Sequence, residues 1–563
     1  MKRRRLFLLV AVILLLVGCE DLASLLPEEE EGPPAAFVAP TPVPTFPPAL
    51  TTSARILDRG TLVVGVRYDL EPFSFIAPDS QLAGLEIDLA RELARRWLGS
   101  PDAVRFVQVR TDTAFDHLTE GSVDLVLGGV IHTQAGEANA DFAGPYFMDG
   151  MALLTFPDTG IRSLGELQSS HRVGILDWTE SLEAVQAATP VTATYVSYGH
   201  FFDVLDGLRN REIDVYADQH HRLVRARRSV AGTTVVGQWT WAPVAPVFRQ
   251  DDPFFANVVR LTMQDMVADG TRDALYARWL PETSPPSLTM LPGQAPTPAM
   301  EASPQRRPDL DVIERMRQRG SIAVGYFQDR WPYSADRADG VPTGFEVRLL
   351  ERLAELWFGS REAVTYVPVT EADATNRLAQ GEVDVLVGTW VHTRGRELGW
   401  DFSVPILDDG VSLFSLEVNS VEGFDGLGGQ SVGVVVGSAG EAAVPQLSQG
   451  VGMNAVGYPT FGEAVAALQA GEVIAILTER RPALDIHFRQ EGFYITNQRY
   501  TYRPVAYMLP EGDSAYRDLF NLSLMELEAR GVYQELYELW FDDPIPSLGA
   551  WPGIPTVPLV VNR

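Results

Sequence analysis

Few residues in this chain are of a type that does covalent or metal chemistry, and their spacing argues against most of it. Cys19 is the only cysteine, which excludes disulfides, thiol nucleophiles and cysteine metal sites. Histidine recurs in His132-Thr133 and His392-Thr393. A single histidine in each setting is no metal site, and a structural hydrogen bond within a loop is the expected role. His220-His221 has no carboxylate or cysteine at ligand spacing and reads as a solvent-facing pair. Gly426-Leu-Gly-Gly429 lacks the lysine and the Ser or Thr that phosphate cradles use. No metal, no cofactor and no catalytic residue is expected.

The stretches around these residues occur twice. Gly325 falls on Gly65, Trp357 on Trp97, Gly381 on Gly121, Asp384 on Asp124 and Asp401-Phe402 on Asp141-Phe142, all 260 positions apart. Near the ends the spacing becomes 261, as in Gly270 with Gly531 and Trp279 with Trp540. One register over so long a span marks a tandem duplication, with a period far beyond that of solenoid repeats, so each copy is a domain with its own core. The predicted organisation is a signal segment at 1–19, a Pro/Glu-rich tether at 20–53, a first domain at 54–282, a Pro-rich linker at 283–308, a second domain at 309–545 and a tail at 546–563. Two domains on a semi-rigid spacer is the simplest arrangement.

Lys2-Arg3-Arg4-Arg5 precedes an apolar run from Leu6 to Val17, too short to span a bilayer and read as a targeting segment. Its end, Leu16-Val17-Gly18-Cys19, looks like the lipobox of bacterial lipoproteins, which implies lipidation at Cys19 and an extracytoplasmic, lipid-anchored protein, periplasmic or at the cell surface. The alternative is an ordinary secretory signal with Cys19 incidental. Glu28 to Glu31 followed by Pro, Ala and Thr cannot bury enough apolar surface to fold and reads as a tether. A formal net charge of -29, with Lys2 the only lysine, argues against nucleic acid as a partner.

Within one copy, Thr61 to Val66 has the apolar, β-branched character of a buried strand, and Leu85, Leu89, Leu93 and Trp97 form one helical stripe. Strands are expected at Val104–Val109 and Val123–Gly128 with a polar helix between them. The pattern restarts with Val173–Leu176, Thr192–Val196 and Ile213–Ala217, with helices from about Ser181 and Phe201. One amphipathic helix from Pro253 to Leu280 closes the unit. The predicted class is α/β, with two doubly wound, mostly parallel sheet lobes per copy.

This order resembles the bacterial extracellular solute-binding proteins of family 3, type II periplasmic binding proteins serving polar amino acid ABC importers. The likeness is carried by Ile322-Ala-Val-Gly325, Pro332, Gly344-Phe345-Glu346, Gly381-Glu-Val-Asp384, Gly388 to Arg396, Asp401 to Pro405, Val432-Gly433 and Gly531 to Trp540. It implies a ligand cleft between lobes joined by two crossover strands, with hinges near Asp149–Phe156 with Trp241–Phe248 and near Asp409–Leu416 with Tyr502–Met508.

A zwitterion taken out of water needs a cation and N–H donors for its carboxylate and an anion for its ammonium. By resemblance the second copy supplies Arg396 for the carboxylate, Thr389 and the backbone at Trp390 as further donors, Gly437-Ser438 on the second lobe and Glu479 for the ammonium. Trp331 is a stacking candidate, and Arg330 holds the family's usual aromatic position. In the first copy Gly136 aligns with Arg396 and Gln219 with Glu479. Phe73, Phe75, Trp178, Thr179 and Asp218 are its remaining candidates. The first domain is therefore expected to be degenerate or to differ in specificity.

The expected function is capture of a small polar ligand, most simply an amino acid, by the second domain for an importer whose permease is a separate chain. Two alternatives are a dehydratase-like enzyme of the same fold, with Glu479 or Asp218 as acid or base, and a sensor that binds ligand without transport. The repeated tryptophans 97 and 357 are expected in the core.

Overall fold

A computed structural model describes residues 51–541 except 111–112, 138, 178, 180, 190–192, 251, 282 and 287–311. Cys19, most of the tether, most of the linker, the tail and Trp178 lie outside the described residues.

Each copy folds into two lobes around two five-stranded mixed sheets. In the first lobe of the first copy the strand order is Val104–Gln108, Leu62–Val66, Leu125–Val126, Val247–Phe248, Asp141–Phe142. The first three run parallel, and Val247–Phe248 returns antiparallel between its neighbours. The central strand Leu62–Val66 is buried throughout, as its unbroken apolar run requires. The second lobe orders Thr194–Tyr198, Arg172–Leu176, Val215–Gln219, Met151–Thr155, Thr234–Val236. The second copy repeats both orders, from Val364–Pro368 to Asp401–Phe402 and from Asn454–Tyr458 to Phe493–Ile495.

The lobes are joined by short antiparallel crossings, Phe147–Asp149 with Ala242–Val244 and Leu407–Asp408 with Pro504–Val505. On the outgoing chain the crossing lies slightly ahead of the expected hinge, because Met151–Thr155 already belongs to the second sheet. The edge strand Thr194–Tyr198 and the central strand Val215–Gln219 begin two residues later than expected. The closing helix is two helices, Pro253–Ala268 and Thr271–Trp279, separated at Gly270 with φ 79°. Gly531, φ 73°, separates Ser514–Ala529 from Val532–Trp540 in the same way. A left-handed residue ends a helix, and glycine takes that conformation without strain. Trp357 is buried, with its Nε1 donating to Ser523 Oγ at 2.8 Å, and the partly buried Trp97 donates to Thr262 Oγ1 at 2.9 Å.

The spacer picture needs correction, since the two copies pack directly on one another. Arg517 pairs with Asp141 at 3.0 Å, Ser514 Oγ donates to Asp141 Oδ2 at 2.8 Å, and Asn257 Nδ2 donates to Glu397 O at 2.6 Å. Arg394 reaches back to Asp265. Eleven of the sixteen residues of Pro253–Ala268 and ten of the sixteen of Ser514–Ala529 are buried, more than one core-facing stripe supplies. These helices are covered on their outer side by the other copy. Carboxyl oxygens of Glu137, Asp141 and Asp518 converge there within 4.8 Å of one another, beside Arg517. Burial pushes Glu137 up to about 8, so it is protonated at neutral pH and the junction carries less charge than its residue types imply.

Candidate ligand cleft between the lobes

In the second copy the lobes enclose a cavity of about 700 Å³. It brings together Arg330, Thr389, Trp390, Arg396 and Glu479, five of the eight residues singled out there from sequence. Asp409, Glu371, Arg481 and Arg503 also line it.

Arg396 is placed by the one-turn helix Arg394–Glu397, whose cap Thr393 accepts the Arg396 N–H through Oγ1 at 3.3 Å. Its Nη1 donates to Val391 O at 2.7 Å, and the guanidinium lies 5.3 Å from the Trp390 ring centre. Among the described residues no carboxylate stands within ion-pair distance of it. Burial lowers its pKa, the direction expected for a cation that lacks a counter-charge.

The loop beside it is held by Glu346 at the start of the helix Phe345–Phe358. This carboxylate is fully buried and accepts the Gly388 N–H at 2.5 Å and the Thr389 N–H at 2.7 Å. Thr389 sits at φ 63°, a strained conformation for a β-branched residue that the Glu346 clamp sustains. Gly344 precedes the clamp at φ 125° and packs directly on the Tyr333 carbonyl, leaving no room for a Cβ. The first copy keeps the arrangement, with Glu86 accepting from Gly129 N at 2.8 Å and from Ser74 Oγ at 2.6 Å.

On the opposite wall Glu479 ends the strand Ala475–Glu479. It accepts the Ala439 N–H at 2.9 Å and pairs with Arg503 at 3.4 Å. Asp409, at the hinge, accepts the Arg481 N–H at 2.7 Å, and burial pushes its carboxyl up to about 6. Sequence reasoning passed over Asp409, although the retention of Asp149-Gly150 and Asp409-Gly410 in both copies was a visible signal. Arg330 pairs with Glu371, bonds Gly388 O and lies 3.3 Å over the Phe327 ring.

Three expectations are not met. Trp331 packs edge-on against Trp540 at 5.3 Å and does not line the cavity. Gly437 and Ser438 also stay out of it. Ser438 Oγ is spent capping the helix Ala439–Leu447 by accepting from Glu441 N at 3.2 Å, and Gly437 N donates to Glu441 Oε2 at 2.7 Å. Ala439 is the residue of that loop that reaches the cavity. Arg394, beside Arg396 in sequence, is buried against the first copy.

The first copy also encloses a cavity, about 610 Å³, lined in part by Phe73. Asp218, the candidate anion, is fully buried behind the wall, bonded by Tyr216, Arg222 at 2.7 Å and Gln219 N at 2.8 Å. Thr179 Oγ1 is spent on Leu176 O at 3.0 Å, and Phe75 packs on Trp279 at 6.1 Å. Gly136 is buried against Phe142. The histidine pair is not solvent-facing: His220 bonds Gln238 at 3.0 Å and His221 bonds Asp149 at 2.7 Å. His132 and His392 do make loop hydrogen bonds, to Glu137 and Glu397, and each stacks on a phenylalanine, Phe142 at 4.2 Å and Phe402 at 4.3 Å.

Two sheet lobes, paired crossovers and a cleft between them define a type II periplasmic binding protein, here twice over. The chain belongs to the bacterial extracellular solute-binding proteins, family 3, which match residues 62–282 and 322–543. It is 31% identical to a glutamine-binding protein of Geobacillus stearothermophilus over 25% of this chain, spanning about half (53%) of that relative. It is 23% identical to the ABC transporter glutamine-binding protein GlnH of Bacillus subtilis, over 41% of this chain and 85% of that one. The L-glutamate/L-aspartate-binding protein of Pseudomonas aeruginosa is 22% identical over 42% of this chain and 82% of its own. Among solved structures, a polar amino acid ABC uptake transporter substrate-binding protein from Streptococcus thermophilus is 20% identical, with 42% of this chain and 90% of that chain covered and a TM-score of 0.37. The family and these relatives are named for binding solutes rather than for catalysis. Among the described residues no helix is long and apolar enough to cross a membrane.

Proposed function

We propose that the chain captures a polar amino acid in the cleft of its second copy and delivers it to an ABC importer, from a position tethered to the membrane by lipid at Cys19. The observation that carries this reading is Arg396. A half-buried guanidinium in an interlobe cavity, with no carboxylate partner among the described residues, is free to pair with a ligand anion. The loop at Thr389 and Trp390 stands beside it, and Glu479 with Asp409 offers negative charge to an ammonium across the cavity. Lobe closure brings the two walls together around the ligand, and contacts from both walls favour the shut state. The relatives' printed names supply amino acids as the ligand class.

The test is isothermal titration of the mature full-length chain with each of the standard amino acids, repeated with Arg396→Ala. At least one amino acid should bind the parent, and the variant should lose roughly 30- to several-thousand-fold in affinity, the effect of removing one side of a buried charge pair. Equal affinity in both proteins would remove Arg396 from the site, and binding of no amino acid by the parent would remove the amino acid reading.

A further inference from the structure

The two clefts of this chain differ at the three positions that would grip a zwitterion, although Arg67, Glu71 and Arg222 line the first where the second copy has Phe327, Trp331 and Pro482. At the position of Arg330 the first copy has Leu70, at Arg396 it has Gly136, and at Glu479 it has Gln219. Each exchange removes a charge, and together they remove partners for both ends of a zwitterion. Yet the space has not been filled in. The cavity of about 610 Å³ is walled by Leu70, Phe73, Phe115, Val130 and Phe201, with the Gln219 side chain facing the same space.

The charges that do line it are already spoken for. Arg67 pairs with Asp69 at 2.9 Å, Glu71 with Arg225 at 3.6 Å, His221 with Asp149 at 2.7 Å, and Arg222 with the buried Asp218 at 2.7 Å. A charged ligand would have to break one of these pairs or enter without a counter-charge, and either costs affinity. The Gln219 carboxamide, by contrast, has no side-chain hydrogen bond among the described residues. It offers one donor group and one acceptor to a neutral polar function.

We infer that the first copy is a second ligand site, for an uncharged small molecule with an apolar or aromatic body and one polar group held by Gln219. This stands independently of the amino acid reading of the second cleft. A pocket of this size with an apolar wall, charges paired among themselves and Gln219 left to bond a ligand has the form of a small-molecule site. The loss of the counterparts of Arg330, Arg396 and Glu479 at matched positions is what a change of ligand class requires, whereas loss of function alone carries no reason to keep the volume open.

Three nearly isosteric probes separate the possibilities: benzamide, benzoate and benzylammonium, each titrated against the mature full-length chain. Benzamide should saturate one site per chain, and both ions should bind at least about tenfold more weakly. Gln219→Glu keeps the shape of a half-exposed side chain, so it should weaken benzamide and strengthen benzylammonium. Arg396→Ala should leave benzamide binding unchanged. The inference is overturned if benzamide shows no saturable binding or if the three probes bind alike. It is equally overturned if benzamide binding disappears in Arg396→Ala and survives Gln219→Glu.

Discussion

At the scale of the residue, the proposed binding chemistry rests on a cation left uncompensated and on a carboxyl buried at the hinge. Arg396→Lys keeps the charge but loses the fork that meets a carboxylate with two parallel bonds, so it should bind amino acids more weakly than the parent and more tightly than Arg396→Ala, as titration calorimetry would show. Asp409 makes a pH prediction. Burial raises its pKa from 3.8 to about 6, so between these values the folded chain keeps a proton that the unfolded chain releases. Stability present at low pH is therefore lost as pH rises to about 6. Asp409→Asn cannot ionise, and its side-chain oxygen still accepts the Arg481 N–H. It should match the parent near pH 3.5 and exceed it at pH 7 by about 2–3 kcal/mol in denaturant unfolding.

At the scale of the element, the helices Leu85–Leu98 and Phe345–Phe358 each begin with a buried glutamate that holds a cavity-lining loop by its backbone. Burial pushes both Glu86 and Glu346 up to about 7, against 4.5 in the unfolded chain. Above pH 6.5 the unfolded carboxylates are fully ionised while the folded ones still release protons, so the melting temperature should fall between pH 6.5 and 8.5. The double variant Glu86→Gln, Glu346→Gln should show a flatter profile, and an identical slope would refute the assignment. Gly531 tests the helix break. It stands at φ 73° with open space where a Cβ would sit, so Gly531→Ala should cost about 1 kcal/mol through backbone conformation alone.

At the scale of the whole molecule, the copies share a buried polar junction instead of hanging on a linker. Arg517, almost fully buried, faces Asp141 of the first copy as well as Asp401 and Asp518 of its own. Arg517→Ala leaves those carboxylates without their cation and should cost about 3–5 kcal/mol. Because the junction couples the copies, calorimetry of the parent should show one unfolding transition. Two well-separated transitions at their independent temperatures would mean that the junction contributes little.

Periodicity made the duplication, the lobe sheets and the burial of Trp357 legible in the sequence alone, because a repeated register and an element's apolar pattern are local properties. Resemblance to the family's motifs pointed to Arg396, Thr389 and Glu479, and all three line the cavity, although the Thr389 loop is held by the distant Glu346. What tertiary structure alone decided is whatever depends on residues far apart in the chain. Trp331 packs on Trp540, Phe75 on Trp279, and Arg394 pairs with a carboxylate in the other copy. Side chains of the right type at the right spacing were withdrawn from the cleft by closer partners. The pairing of every charge around the first cavity could be read only once its lobes stood face to face.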